Sequence, residues 1–234
     1  MKIDIIIPVY NEDENIIKLI KEIENKVIYD FRILICYDNE TDKTLAYFKN
    51  KNIINKEILF VKNPNQGPNS AIVAGINSSK SDIILVYMAD DFENIKLINK
   101  MADLIKDGND LIIPSRFISG GKMIGAKKMK KAITVLGSYL IYYLARIPFK
   151  DCTNAFKMFS ADLKNKINFE SKIGFTFALE LVIKSYLLNS KIAEIPSSWI
   201  ELENRKSNFK ILKWLPHYGY WLSYGIIKNL FRIK

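Results

Sequence analysis

The first half of the chain is punctuated by short, nearly unbroken apolar runs: "IDIIIPV" (Ile3–Val9), "FRILICY" (Phe31–Tyr37), "EILFV" (Glu57–Val61), "DIILVYM" (Asp82–Met88) and "DLIIP" (Asp110–Pro114). Strands that alternate apolar and polar residues have one wet face, whereas runs like these are buried on both faces. Longer helix-like segments separate them, and that alternation predicts an α/β chain with a mostly parallel, doubly wound central sheet flanked by helices. Polar turns follow the first three runs: "PVYNEDENI", "NETDKT" and "NPNQGPNSA". Asn11 and Glu14 in the first of these predict something close to a capping box at the start of a helix. Ligands of such sheets bind beyond the carboxyl ends of the strands. Tyr10, Asn11, Asp38, Asn65, Gly67 and Asp90 are therefore expected to gather along one edge.

Neither GxGxxG after the first run nor GxxxxGK[ST] anywhere is present, which argues against a dinucleotide-binding dehydrogenase and a P-loop NTPase. With 49% hydrophobic and 26% charged residues, the 234-residue chain can bury a core. Its 35 Lys and Arg against 25 Asp and Glu leave a net charge of +10, which suits an anionic partner such as a membrane surface or a phosphorylated substrate. No nucleic-acid-binding motif accompanies the charge, so nucleic acid is not the expected partner. Cys36 and Cys152 form no CxxC and predict reduced thiols in a reducing compartment. Neither a signal peptide nor a transmembrane helix is expected, since "AITVLGSYLIYYLA" and "WLPHYGYWLSYGII" fall short of the roughly 20 residues a span needs.

From Ser115 the pattern changes. A glycine-bearing loop, "SRFISGGKMIGAKK", leads into a basic-then-apolar helix from about Lys127 to Arg146. One more strand and helix pair is expected, followed by an aromatic, basic tail. No repeat or linker divides the chain, so residues 1–234 read as a single domain, with boundaries of character near 114 and 202. Within it, "IILVYMADDFEN" runs an apolar strand straight into Asp90 and Asp91. Asp and Asn commonly end strands as turn and cap residues. Paired carboxylates at the end of a buried parallel strand also suit a divalent cation.

The motifs "IIIPVYNEDENI", "YDNETDKT", "NQGPNSAIVAGI", "VYMADDFEN", "PSRFISGGKMIG", "DCTNAFKMFS", "GFTFALELVIK" and "EIPSSWIELENRKSNFKILKWLP" run in order over almost the whole chain. In that order they resemble family 2 glycosyltransferases of the GT-A (Rossmann-like) fold, in the branch that moves sugars onto dolichyl or other polyprenyl phosphates. The resemblance implies a nucleotide-sugar-binding half (1–114), an acceptor-binding half (115–202) and a membrane-associating C-terminal amphipathic segment (203–234). It implies a nucleoside-diphosphate sugar donor, a polyprenyl phosphate acceptor, Mg²⁺ or Mn²⁺ as cofactor, and a peripheral place on the inner face of the cytoplasmic membrane.

Residue by residue, Asp90 matches the last position of the family's metal-binding DxD, with Met88 at the first, and Asp91 is a second metal candidate. Pro8, Tyr10, Glu12, Asp38, Asn65, Gly67 and Ala89 match the nucleotide-binding positions, with Tyr37 replacing the first Asp of the family's DDGS turn. Asp90, Arg116 and Lys130 are the implied catalytic groups, the two cations facing the diphosphate. Thr134, Arg205, Lys206 and Ser207 match the phosphate and acceptor positions. There Arg205 replaces a glycine and Leu202 an arginine, as if the cation had moved three residues along. A phosphate acceptor is already anionic and needs little base catalysis, so His217 is expected to pack or lie at an interface. A different glycan acceptor would need a base, for which Glu180 is the candidate. A non-catalytic, membrane-associated module on the same fold is the remaining alternative.

Overall fold

The computed structural model describes residues 1–48, 56–125, 128–200 and 211–231. The apolar runs become β1 (Lys2–Pro8), β2 (Asp30–Tyr37), β3 (Ile58–Lys62), β4 (Ile83–Val86) and β5 (Leu111–Ser115). Between them lie α1 (Asn15–Lys26), α2 (Pro68–Ser78) and α3 (Leu97–Lys106), and a 3-10 helix spans Lys43–Phe48. Beyond Ser115 come β6 (Lys122–Ile124), α4 (Lys128–Leu144), β7 (Lys157–Ser160), α5 (Ala161–Lys166), α6 (Thr176–Leu187), β8 (Ile192–Pro196), β9 (Ser198–Ile200) and α7 (Ile211–Leu230). This second half is richer than the basic-then-apolar helix, one further strand and helix pair and tail expected from the sequence. Its strands are short, and β7 ("KMFS") opens on a lysine, so no long apolar run marks it.

Among the described residues the main sheet has seven strands in the order β3-β2-β1-β4-β7-β5-β8, and β6 pairs with β9 in a separate ribbon. All pairings are parallel except those of β7, which runs antiparallel to β4 and β5. One face is covered by the apolar stripes of α1 (Ile16, Leu19, Ile20, Ile23) and α3 (Ile98, Met101, Ala102, Ile105). The other is covered by α2 and α6, with Ile141 of α4 and Trp221 of α7 joining them. A helix can lie on strands this closely only where a side chain is missing. At Gly75 of α2 an added Cβ would sit 2.6 Å from both Cys36 Sγ and Ile6 Cγ2.

The winding reverses at β1. The β1–α1–β2 crossover lies on one face and β3–α2–β4 on the other, so the chain parts between the carboxyl ends of β1 and β4. Such a switch point leaves a crevice. The turn leaving β1 departs from the expected capping box. Asn11 takes a left-handed conformation (φ 52°), which asparagine tolerates. Its N–H donates to Asp42, its side-chain oxygen accepts from the Lys43 N–H, and Glu14 occupies the N-cap of α1 without a side-chain cap bond. The turn is tied to the 3-10 helix rather than to its own.

On the C-terminal helix Trp214 and Trp221 are buried: Trp214 meets Phe175 edge-on and Lys184 lies over the Trp221 ring. His217 is exposed on α7. Cys36 and Cys152 are buried, free thiols, and burial pushes Cys36 up to about 12.

The opposite edge of the sheet is closed by a buried carboxylate. Asp4 of β1 accepts from Arg32 Nε at 2.5 Å, from the Ser79 and Ser81 hydroxyls at 2.6 and 2.7 Å, and from the Lys80 N–H at 3.0 Å. Burial alone would raise its pKa, but these donors outweigh it and hold the carboxyl below the usual range. Its contribution is therefore full above the unfolded-state value near 3.9 and is lost as pH falls through the depressed folded value. Asp4→Asn is expected to lower unfolding free energy by about 3 kcal/mol, because it removes the buried carboxylate shared by Arg32, Ser79 and Ser81 and leaves Arg32 only its longer contact to Glu57 at 3.8 Å. It should also flatten the acid limb of stability, both read by urea denaturation across pH.

Candidate active site

Three strand ends supply the crevice. After β1, Pro8 is half-buried and Tyr10 is exposed, and the Glu12 N–H donates to the buried Thr44 hydroxyl at 2.9 Å. After β2, both oxygens of Asp38 are engaged: Oδ1 accepts from Asn63 Nδ2 at 2.6 Å and Oδ2 from the Gly67 N–H at 2.9 Å. Gly67 sits at φ 96°, immediately before Pro68 opens α2, so Asp38 fastens the loop that presents that helix's N-terminus to the crevice. Helix N-termini favour anions. Asn65 lies on the same loop, exposed, with its N–H on Asn63 Oδ1 and its side-chain amide on the Ser70 hydroxyl. Tyr37 is buried and donates to Glu40 at 3.1 Å, so a phenol fills the place of the missing first aspartate.

After β4, the buried Tyr87 packs edge-on against Phe156 and donates to the Asp91 carbonyl at 2.5 Å. Ala89 is buried next to it, and Asp90 faces solvent. Asp91 turns the other way. Its two oxygens accept from the Asn94 N–H at 3.0 Å and from Asn94 Nδ2 at 2.7 Å. Burial pushes this carboxyl up to about 6, against the bonds from Asn94 that pull it down. The adjacent aspartates thus have different environments, one exposed and one half-buried.

Arg116, just beyond β5, is almost enclosed and grips Asp151 bidentately, Nε and Nη2 each at 2.7 Å, while its own N–H donates to the same carboxylate at 2.9 Å. The Asp151 and Lys150 N–H groups in turn donate to Glu194 of β8, both at 3.0 Å. Lys157 of β7 is fully buried and donates to the Asp151 carbonyl at 3.2 Å, and burial brings its pKa down to about 8. Sequence reasoning placed Arg116 at the diphosphate and assigned nothing to Asp151, Lys157 or Glu194. The signal lay in "DCTNAFKMFS", where a lysine opens an otherwise apolar strand.

The remaining expected residues divide. Lys130 and Thr134 lie on α4, while Arg205, Lys206 and Ser207 fall outside the described residues. Glu180 is fully buried on α6, accepting from the Glu170 and Ser171 N–H groups and paired with Lys184, so it anchors a loop rather than offering a free base. Among the described residues no three His, Cys, Asp or Glu side chains converge on a metal position. A cation at Asp90 would take most of its ligands from phosphate oxygens and water. That is how Mg²⁺ and similar hard ions are commonly held, so the donor set fits one.

The family model for glycosyl transferase family 2 matches residues 4–167, which includes all three strand ends. This chain belongs to that family. Among its relatives is a dolichol-phosphate mannosyltransferase of Pyrococcus furiosus, 29% identical over 84% of this chain and 56% of the relative, so the chain spans about half that protein's length. An undecaprenyl-phosphate mannosyltransferase of Micrococcus luteus is 23% identical over 87% of this chain and 85% of its own. Among solved structures, glucosyl-3-phosphoglycerate synthase of Mycobacterium tuberculosis in complex with UDP superposes with a TM-score of 0.69, at 14% identity over 96% of this chain and 80% of that one. The same enzyme with Mn²⁺, UDP and glucosyl-3-phosphoglycerate gives 0.66 at 15% identity, over 98% and 78%. At such identity the likeness establishes the GT-A fold.

The buried pair gives a test. Asp151→Ala is expected to destabilise the protein by about 3–5 kcal/mol, since Arg116 and Lys157 then share a buried site without their carboxylate. Glu93→Ala, which removes an exposed ion pair to Lys96, should stay within about 0.5 kcal/mol. Chemical denaturation of the two variants measures both.

Proposed function

We propose that this family 2 glycosyltransferase moves a sugar from a nucleoside-diphosphate sugar to a polyprenyl phosphate, with inversion at the anomeric carbon. The observation that carries the reading is the switch-point crevice. There the solvent-facing Asp90, the Asp38-fastened loop and the N-terminus of α2 converge from neighbouring strands. Two relatives named as transferases onto dolichol phosphate and undecaprenyl phosphate support the acceptor class.

In this reading the nucleoside lies against Pro8, Tyr10, Glu12, Asp38, Asn65, Gly67 and Ala89. Asp90 would hold Mg²⁺ or Mn²⁺, and the ion would supply charge neutralisation for the departing diphosphate. A phosphate oxygen of the acceptor attacks the anomeric carbon from the face opposite the leaving group. The new C–O bond forms as the bond to the diphosphate breaks, and the nucleoside diphosphate leaves with the electron pair. No side chain has to remove a proton, because the attacking oxygen is already anionic. Arg116, which Asp151 holds in place, and Lys130 are the cations assigned to the diphosphate, and Thr134, Arg205, Lys206 and Ser207 are assigned to the acceptor phosphate by their match to the family's positions.

The acceptor's lipid places the protein at a membrane surface. No helix among the described residues is long and apolar enough to cross one. Leu136, Tyr139 and Tyr143 of α4, with Tyr220 and Ile227 of α7, are exposed, and Lys128, Lys131 and Lys213 lie exposed on the same two helices. Exposed aromatic and aliphatic side chains beside cations suit the interface of an anionic leaflet, here the inner face of the cytoplasmic membrane.

The test is sugar transfer to a short polyprenyl phosphate from a panel of UDP- and GDP-sugars with Mg²⁺ or Mn²⁺. Transfer is expected with at least one donor, reduced in Asp90→Ala by about 10²-fold or more, as loss of a charge-stabilising group does. Tyr139→Ser/Tyr143→Ser should weaken co-sedimentation with phosphatidylglycerol vesicles and leave transfer to the short acceptor intact. Nucleotide binding without turnover on any donor would instead support the non-catalytic module.

A further inference from the structure

Asn94 lies between two parts of the molecule that are distant in sequence. It is buried, and one hydrogen of its side-chain amide goes to Asp91 Oδ2 at 2.7 Å and the other to the Ser198 carbonyl at 2.6 Å. Its side-chain oxygen accepts from the Ser198 N–H at 3.1 Å, and its main-chain N–H donates to Asp91 Oδ1 at 3.0 Å. Asp91 is fixed in turn by Tyr87, whose hydroxyl holds its carbonyl from below. Both residues therefore spend their hydrogen bonds on joining the loop after β4 to the first residue of β9.

What hangs from β9 makes the joint consequential. Ser198 pairs with Lys122 in the parallel β6–β9 ribbon, and the neighbouring Ser197 accepts from the Lys122 N–H and donates to the Ser115 carbonyl, beside Arg116. The chain leaving β6 enters α4, which carries Lys130 and Thr134. Alongside the β5–β8 pairing, the Asn94 amide thus ties the loop that carries Asp90 to the ribbon from which the chain runs on to α4.

We propose that Asp91 is a positioning residue and not a second metal ligand: through Asn94 it fixes the β6–β9 ribbon against the Asp90 loop, aligning acceptor and donor sites. The inference rests on the transferase reading of the crevice for its kinetic consequence, and on the hydrogen bonds alone for its structural one. Asp91→Asn is the sharp probe, since it is isosteric. Its side chain has one acceptor oxygen where Asp91 has two. Whichever way it turns, one bond to Asn94 becomes a contact between two donors.

Three readouts on wild type, Asp90→Asn, Asp91→Asn and Asn94→Ala decide it. The first is hydrogen exchange of the Ser198 amide in protein free of metal and nucleotide. It should speed up by about tenfold in Asp91→Asn and more in Asn94→Ala, the scale of one lost hydrogen bond. The second is Mn²⁺ affinity in the presence of UDP or GDP, followed by electron paramagnetic resonance. Asp91→Asn should stay within about threefold of wild type, while Asp90→Asn weakens binding by more than about tenfold, as loss of a charged ligand implies. The third is steady-state transfer, where Asp91→Asn should raise the acceptor KM and leave the donor KM unchanged. Unchanged Ser198 exchange, or Mn²⁺ binding lost equally in Asp91→Asn and Asp90→Asn, overturns the proposal. Absence of Mn²⁺–nucleotide binding in wild type would overturn the transferase reading instead, and the exchange measurement would still decide the joint. Should Asp91→Asn unfold, Asn94→Ala carries the same exchange and metal comparisons.

Discussion

β1 is hydrogen-bonded on both sides, to β2 and to β4, and is covered by helices on both faces. The rest of the molecule depends on that double confinement. A strand so placed has no room for polar side chains except at its ends. At one end Asp4 is buried and saturated with donors, while at the other the chain escapes into a turn tied to Asp42 and Thr44. Because the crossovers leave β1 toward opposite faces, the loops at its carboxyl end part, and the crevice between them is a consequence of winding rather than of any single side chain.

Into that crevice the neighbouring strands deliver carboxylates whose surroundings give them different work. Asp38 shapes the loop before α2, Asp91 is half-buried and raised to about 6, and Asp151 is locked onto Arg116. Asp90 is the one of these that faces solvent at a strand end. Burial penalises charge and hydrogen bonds restore it, so environment and not residue type sorts the four. The buried Arg116–Asp151–Lys157 assembly is weak evidence for stability, because desolvating such charges costs nearly what their attraction returns. It does fix a guanidinium in place beside β5. Electrostatic stabilisation needs that kind of preorganisation.

Much of this was legible in the sequence. The unbroken apolar runs located β1 to β5, because residues buried on both faces leave a signal that survives without partners. The turns after those strands located Asp38, Gly67 and Asp90 at one edge. Less visible were β6 to β9, whose few residues carry mixed character, and the inward turn of Trp214 and Trp221, since a tryptophan beside a lysine reads equally as interface or core. The distant partners of Arg116 and Asn94 were illegible for a different reason: Asp151 lies 35 residues from Arg116 and Ser198 lies 104 from Asn94, contacts that only topology creates.

In the proposed reading, donor chemistry occurs at the β1–β4 crevice with Asp90 as the metal-facing group. Crystals grown with Mn²⁺ and either UDP or GDP test this through the manganese anomalous signal. The expected result is one strong peak beside the Asp90 carboxylate, with the nucleoside running back along the ends of β1 and β2 toward Asp38. A nucleotide bound away from that edge, or manganese held without Asp90, would contradict it.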